Sequence, residues 1–337
     1  MLYFISMLKI FVLIFLSIMS NLLAVEDYDI YPLGAKGNSL GGGFVAVAND
    51  ISAFYWNVAG LVLQTNISFV YLFDSQFLLS DPRQTLNSDF KISYEVPPLV
   101  GFVLPLKNKK NSVFGFSVSS PVQRKFGYGT SGFYMIQFAP SFAFVPYKDL
   151  AFGFKPAFLT SNNNWGIGWD LELGIIKKFS DLFRTGIVFK SPVFFKWQRE
   201  YLQTPWILQT GCAFSLNRNY FFTFDIEYQN WLSALWIKDQ IKENYKGKTG
   251  LFKTILPHAG FSFIEEKYGA QVRVGLSGSS ELDGKKLVSR YLLSLGIGAR
   301  AAKNLHIDAC IVDALLFSFL FPQRPLETLQ ILIEYRI

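Results

Sequence analysis

The chain has 337 residues, 50% of them hydrophobic and only 17% charged, with a formal net charge of +7. This sparse charge, together with 35 Phe, 16 Tyr and 7 Trp, excludes a disordered chain and argues against an ordinary cytosolic domain, in which about a quarter of the residues are charged. The apolar residues are spread along the chain rather than gathered in several runs of about 20, which excludes a polytopic helical membrane protein and favours a sheet with one apolar face.

Residues 1–24 have the pattern of a secretory signal peptide. Lys9 is their only charged residue, residues 10–19 form an apolar stretch, and Ala24 is a small residue at which cleavage can occur. A retained anchor helix is the alternative. The only cysteines, Cys212 and Cys310, cannot make a disulfide framework or a four-thiolate metal site. Lys and Arg are scattered along the chain, so nucleic acid is not expected as a partner.

A segment rich in small residues comes next. Small side chains allow backbone to pack closely against backbone, and Asp, Ser and Asn favour turns and helix starts. The residues that define the segment are Gly34, Leu40, Gly41, Gly42, Asp50, Ser52, Asn57 and Gly60. We predict that residues 25–66 form a compact plug, or hatch, ahead of a barrel formed by residues 67–337.

After residue 66 the chain becomes a series of segments in which apolar and polar residues alternate. In the clearest one, Phe222, Phe224 and Ile226 share one phase, whereas Asp225 and Glu227 share the other. A period of two predicts strands with one apolar and one polar face. About fourteen such segments can be counted, centred near residues 73, 97, 116, 139, 155, 171, 187, 210, 225, 260, 272, 295, 308 and 332.

The connections between these segments alternate in length. Short polar turns fall at residues 146–149, 180–182, 217–219, 265–267 and 302–304, and longer connections at 121–132, 191–204, 231–254, 277–289 and 313–326. Outer-membrane barrels combine short periplasmic turns with long outer loops, whereas a soluble β-sandwich has no reason to alternate its loop lengths. The sequence therefore predicts an all-β fold: a transmembrane antiparallel β-barrel of about 14 strands in the bacterial outer membrane, surrounded by lipid bilayer.

Four prolines fall inside the predicted strands. Pro97, Pro98, Pro140 and Pro156 each remove one hydrogen-bond donor from the ladder. They indicate bulges, kinks or an opening in the wall, unless the strand limits are misplaced.

The N-terminal segment resembles the hatch of the FadL long-chain fatty-acid transporter family and of its PorV-like relatives. The family pattern runs from Gly-Ala-Arg through Leu/Met-Gly-Gly-Ala, Ala-x-Ala-Asp/Asn-Asp and Ser-Ala to Asn-Pro-Ala-Gly-Leu. This chain matches it at Gly34-Ala35, Leu40-Gly41-Gly42, Ala46-x-Ala48-Asn49-Asp50, Ser52-Ala53, Asn57 and Ala59-Gly60-Leu61. Lys36, Gly43 and Val58 depart from it. The resemblance implies an outer-membrane barrel of about 14 strands, plugged by the hatch, that passes hydrophobic molecules.

Catalytic and metal chemistry are not expected. Residues 37–41 satisfy the G-x-S-x-G pattern of a nucleophile elbow. Such an elbow must follow a core strand, whereas these residues come shortly after a signal peptide. The two histidines, His258 and His306, have no Cys or His at ligand spacing. We therefore expect no enzyme activity, no catalytic residues and no cofactor.

Two groups of residues are candidates for ligand binding. Arg273 and Arg300 fall on the polar phases of their strands, where a guanidinium could bind the carboxylate of a fatty acid, although charge pairs that brace the wall are the alternative. Trp231, Trp236, Phe317 and Phe319 lie in apolar loops that would either capture ligand or anchor the rim in the membrane interface.

The sequence thus predicts a passive transporter of long-chain fatty acids or similar hydrophobic molecules. A PorV-like accessory protein, with secreted proteins as partners, is one alternative, and a structural outer-membrane barrel is another.

Overall fold

The computed structural model describes residues 28–30, 33–78, 99–106, 112–124, 133–161, 167–197, 200–230, 255–265, 269–283, 286–313 and 326–337. Within these residues seventeen strands form one sheet. The strands are β1 (Tyr28–Ile30), β2 (Ser68–Leu78), β3 (Leu99–Pro105), β4 (Ser112–Arg124), β5 (Phe133–Tyr147), β6 (Leu150–Ser161), β7 (Ile167–Lys178), β8 (Phe183–Lys190), β9 (Phe194–Trp197), β10 (Glu200–Gln203), β11 (Trp206–Ser215), β12 (Tyr220–Asn230), β13 (Ile255–Glu265), β14 (Ala270–Asp283), β15 (Lys286–Ala302), β16 (Leu305–Asp313) and β17 (Leu326–Arg336).

The sheet closes into an antiparallel barrel. Strands β2–β8 and β11–β17 each pair with their neighbours in the chain, β17 pairs with β2, and β11 pairs with β8. Closure leaves fourteen strands in the wall and no free edge between them. The predicted number of strands is confirmed, and every predicted centre that falls on a described residue lies inside a wall strand.

The remaining strands join this wall from its connections. β9 and β10 form a hairpin between β8 and β11, and β9 also pairs with β7. β1 pairs with β4 and with the far end of β14.

The two ends of the barrel differ. One end, here called the turn end, carries the tight connections β5–β6, β7–β8, β11–β12, β13–β14 and β15–β16. At the other end, the loop end, most connections are longer. Two predicted loops there contain strand instead: β14 continues to Asp283, which pairs with Lys286, and residues 191–204 contain the β9–β10 hairpin. The small polar residues at 277–289 are typical of a loop, so the sequence predicts one there. They can nevertheless form strands, because the hydrogen bonds of a ladder involve only backbone groups.

Along the wall strands, side chains alternate between the two faces as predicted. Phe222, Phe224 and Ile226 of β12 are exposed on the outer face, whereas Thr223 and Asp225 are buried on the inner face. The same alternation is found in β7 and β14. The outer face of the barrel is therefore apolar and rich in Phe.

The β5–β6 ladder is interrupted where two prolines face each other. The ladder pairs Phe138 with Phe158 and, further on, Phe142 with Phe154. In that register Pro140 lies opposite Pro156, and neither has the N–H group that the pair would exchange. The wall thus has a weak seam at this point. The other two prolines at which we predicted an irregularity, Pro97 and Pro98, lie outside the described residues.

The N-terminal segment, residues 33–64, contains three short helices. These are α1 (Ala35–Ser39), α2 (Ala53–Trp56) and a 3₁₀ helix (Val58–Leu63). Almost all of its residues are buried, including Leu40, Phe44 and Ile51. In the described part of the chain, no helix has both the length and the apolar character needed to cross a membrane.

Candidate functional site

The N-terminal segment meets the inner face of the wall at glycines. A Cβ atom added at any of seven wall glycines would come within 3.0 Å of an atom of the segment. They are Gly115 of β4, Gly153 of β6, Gly174 of β7, Gly186 of β8, Gly260 of β13, Gly275 of β14 and Gly296 of β15. Because these strands are distributed around the barrel, the segment contacts the wall on several sides at once.

Three side chains of adjacent strands hold the loop that follows α1. The Gly41 carbonyl lies 2.8 Å from Nδ1 of His258, the Gly42 carbonyl accepts from Nε2 of Gln209 at 3.1 Å, and the Val45 N–H donates to Asp225 at 2.9 Å. Gly41 and Gly42 have φ angles of 63° and 80°, a region that favours glycine. The loop is thus fixed to β11, β12 and β13 through its backbone.

Asn57 ties the other half of the segment together. Its Nδ2 donates to the carbonyls of Val45 (2.8 Å) and Ile175 (3.1 Å), and its Oδ1 accepts from the Ala59 N–H at the start of the 3₁₀ helix. One side chain therefore caps a helix, connects two parts of the segment and binds strand β7. Val58 stands where the family pattern has Pro, and its N–H donates to Glu172 at 3.2 Å.

A buried charge cluster lies beside α1. Arg273 and Asp308 are fully buried and form an ion pair of 2.6 Å, and His306 contacts the same carboxylate at 3.0 Å. In the segment, Lys36 donates to Asn49 at 2.7 Å and Asp50 accepts from Ser52. Burial lowers the pKa of Lys36, aided by the nearby Arg273, and burial raises the pKa of Asp50. Because α1 packs against β14 and β16, Lys36 lies close enough to this ion pair to be affected by its charges.

A second charge group crosses strands β6, β7 and β8. Glu172 of β7 has Lys155 as its cross-strand partner on β6 and Lys190 as its partner on β8. It pairs with Lys155 at 2.7 Å, and Lys155 also donates to the Phe54 carbonyl at 2.5 Å. Lys190 points elsewhere: its Nζ lies 3.9 Å from the centre of the Tyr55 ring. Burial raises the pKa of the Tyr55 hydroxyl, so the ring stays neutral beneath the ammonium.

The structure distributes the predicted site residues unevenly. The predicted hatch residues are buried in the N-terminal segment, where Asp50, Ser52 and Asn57 make the contacts given above. Arg273 is sealed inside the wall, whereas Arg300 is exposed near the turn end. The loop residues Trp231, Trp236, Phe317 and Phe319 lie outside the described residues.

Sequence reasoning missed Lys190 and Tyr55. Lys190 ends β8 just before a Ser-Pro pair, where the strand limit was hard to place. Its phase, shared with Gly186 and Val188, would have placed it on the inner face. Neither Cys212 nor Cys310 is in a disulfide bond.

No protein-family model matches the sequence. No curated protein matches it either. Among solved structures, the fold is similar to the monoaromatic hydrocarbon channel CymD, with a TM-score of 0.62, 11% identity, and coverage of 92% of this chain and 98% of that one.

Two further structures are similar over nearly their whole length. The Pseudomonas putida toluene transporter TodX aligns with a TM-score of 0.61 and 12% identity, covering 92% of this chain and 99% of that one. A Pseudomonas aeruginosa FadL homologue aligns with a TM-score of 0.60 and 9% identity, with the same coverage. At such low identity these likenesses establish a shared FadL-like barrel fold.

Proposed function

We propose that this chain is a FadL-family channel through which hydrophobic or amphiphilic molecules cross the outer membrane by diffusion. One observation carries the proposal: a closed barrel with an apolar outer face encloses an N-terminal segment that is fitted to its inner face by glycines. The similar structures, which include a hydrocarbon channel and a toluene transporter, support the same class of cargo. Long-chain fatty acids are our first choice of cargo, since the N-terminal pattern resembles that of their transporters.

In this proposal the N-terminal segment is the hatch. Its buried contacts with strands on several sides would obstruct the lumen at their level, so cargo needs either a shift of the segment or a gap in the wall. The seam at Pro140 and Pro156 is one candidate for such a gap. A second is the β4–β5 register shift between Ser119 and Val122.

The driving force would be the transfer of cargo from water into apolar surroundings. Each methylene group that leaves water contributes about 0.8 kcal/mol, so an acyl chain partitions strongly into an apolar path without any coupled energy source. No catalysed reaction enters this mechanism, because diffusion down a gradient suffices.

Uptake by intact cells tests the proposal. Cells with and without the protein are given radiolabelled oleate or radiolabelled toluene, and the initial rates are compared at equal barrel expression. We expect the protein to raise the rate for at least one of them. Equal rates for both cargoes would refute transport, and co-purification of secreted proteins in that case would favour the accessory role.

A further inference from the structure

The short strand β1 lies between two wall strands at the loop end. Its three residues lie opposite residues 122–124 of β4, and its first residue, Tyr28, also lies opposite Leu282 of β14. Tyr28 therefore has Arg124 on one side and Leu282 on the other.

β1 covers strand edges that the wall leaves open. β4 pairs with β3 only as far as Ser119, whereas it stays paired with β5 up to Arg124. β14 pairs with β13 only as far as Ser277, whereas it stays paired with β15 up to Asp283. Among the described residues, each of these ends thus has one edge without a wall neighbour, and such edges readily pair with a further strand. β1 occupies both edges at once.

The two strands that β1 joins stand on nearly opposite sides of the barrel. Six steps around the fourteen-strand wall, through β15, β16, β17, β2 and β3, lead from β14 to β4. With strands about 4.8 Å apart and tilted by about 40°, a round barrel of this kind is about 28 Å across and separates these two strands by about 27 Å. At β1 they are only two strand spacings, or about 10 Å, apart. Their ends must therefore lean over the mouth, the opening of the barrel at the loop end.

Both ends are long enough to do so. Arg124 lies five residues beyond Ser119, and Leu282 lies five residues beyond Ser277. At about 3.4 Å per residue, each end extends about 17 Å past its last partner on that edge. Half of this length, directed inward from each side, closes the distance from about 27 Å to about 10 Å. We call β1 together with these two strand ends the strap.

The strap leaves room for slender molecules only. Its width is set by the three residues of β1, which span about 10 Å. Across a mouth of about 28 Å, the described residues then leave an opening of about 9 Å on each side. An extended hydrocarbon chain or a single aromatic ring fits such an opening, whereas an α-helix with its side chains, about 10–12 Å across, does not.

We propose that the strap is a size filter at the mouth of the barrel, which admits slender hydrophobic molecules and excludes bulky ones. The inference rests on the proposed transport function and adds a limit on its cargo. The filter is built from backbone pairing, so it acts on the width of a molecule and not on its charge.

Chemical labelling of a residue behind the strap tests the filter. In a parent chain with Cys212→Ala and Cys310→Ala, Lys190→Cys places one thiol on the inner face of β8, where the native side chain is partly exposed and contacts the N-terminal segment. The full chain in lipid nanodiscs is treated with N-ethylmaleimide or with a maleimide attached without a spacer to β-cyclodextrin, a rigid ring wider than an α-helix. Mass spectrometry gives the labelling rates.

The strap is removed through its backbone. Tyr28→Pro combined with Asp29→Pro removes donors on both sides of β1, because consecutive residues of a strand direct their N–H groups to opposite neighbours. Tyr28→Val combined with Asp29→Val is the matched control, which changes the same side chains but keeps both N–H groups. Heat-modifiable migration on gels shows that each barrel is folded, and protease protection of residues 33–64 shows that the segment stays docked.

We expect the bulky reagent to label the proline variant at least tenfold faster than the parent, and N-ethylmaleimide to label the two within twofold of each other. The valine variant should match the parent with both reagents. An unchanged rate for the bulky reagent would overturn the filter. Equal acceleration of both reagents would also overturn it, since the prolines would then have loosened the whole barrel. Faster labelling with loss of protease protection would overturn it too, because displacement of the segment would then explain the access.

The filter and the transport function fail separately, because labelling needs no cargo. Size-dependent labelling that the prolines abolish, combined with equal uptake by cells with and without the protein, would leave the filter standing and refute transport. Uptake that depends on the protein, combined with labelling that the prolines do not change, would refute the filter and leave transport standing.

Discussion

Replacing Gly275 with alanine should dislodge the N-terminal segment without unfolding the barrel. A Cβ at this position would overlap the Gly41 nitrogen and lie 2.6 Å from the Gly41 Cα. Carbon atoms in contact normally stay about 3.5–4.0 Å apart, and the opposing atoms belong to backbone that cannot rotate away. Overpacking of this kind costs about 1–3 kcal/mol.

This free-energy cost destabilises the docked position of the N-terminal segment relative to a displaced one. A change of 1–3 kcal/mol corresponds to about a 5- to 150-fold shift in an equilibrium, so the displaced state should become measurably populated. The ladder itself is unaffected, because Gly275 pairs with Gly260 through backbone groups that alanine retains.

Single-channel recording in planar bilayers detects the displacement. We expect wild-type barrels to be almost closed to ions and Gly275→Ala barrels to show frequent openings, with protease cleavage within residues 33–64 rising in parallel. Gly278→Ala is the control, since a Cβ there would meet Pro257 at 3.1 Å and not the segment. Folded Gly275→Ala barrels with wild-type conductance and protease resistance would show that the glycine fit does not hold the segment.

Three further outcomes are expected. Changing both Pro140 and Pro156 to valine restores two donors to the β5–β6 ladder; it should raise stability by about 1 kcal/mol per bond, measured as the urea midpoint, and slow uptake if the seam is an exit. Because burial raises the pKa of Asp50, the docked segment retains a proton that the free segment loses, so docking should weaken as pH rises above about 4. Asp50→Asn should abolish this trend in protease protection. Arg273→Gln removes the guanidinium from the buried Asp308 carboxylate, which keeps its contact with the His306 ring, and should cost about 3 kcal/mol in urea unfolding, whereas exposed Arg300→Gln should cost almost nothing.

The wall was predictable because the strands of a transmembrane barrel alternate apolar and polar residues with a period of two, and this alternation recurs over many strands. The two faces of β12 follow directly from its sequence, in which Phe222 and Phe224 alternate with Thr223 and Asp225. Strand limits were harder, since β14 and β15 extend through small polar residues whose ladder pairing leaves no hydrophobic signature. The interior contacts were not predictable: the Asn38 side chain donates to Gln330 across 292 positions of sequence, and nothing local specifies such a pairing.

The positions of glycines in the predicted strands carry further information about the interior of the barrel. Gly153, Gly174 and Gly275 all fall on the polar phases of their strands, and each would place a Cβ against the N-terminal segment. Glycine weakens a strand, so its recurrence on one face indicates close approach by another backbone. The sequence therefore predicts that another segment packs closely against this face, but it does not identify that segment.

On β7 and β8, the glycine contacts and the charged side chains lie at different levels of the barrel. On β8, Gly186 seats the Val45 carbonyl three residues from the turn end, and Lys190 follows four residues later at the loop end. On β7, Gly174 seats Asn57, and Glu172 comes next on the inner face. On these two strands the glycine contacts thus lie nearer the turn end and the titratable side chains nearer the loop end. On β14 the order is reversed, since Arg273 lies nearer the turn end than Gly275. A molecule that moved along β7 and β8 from the loop end would therefore meet these charged side chains before it met the glycine contacts.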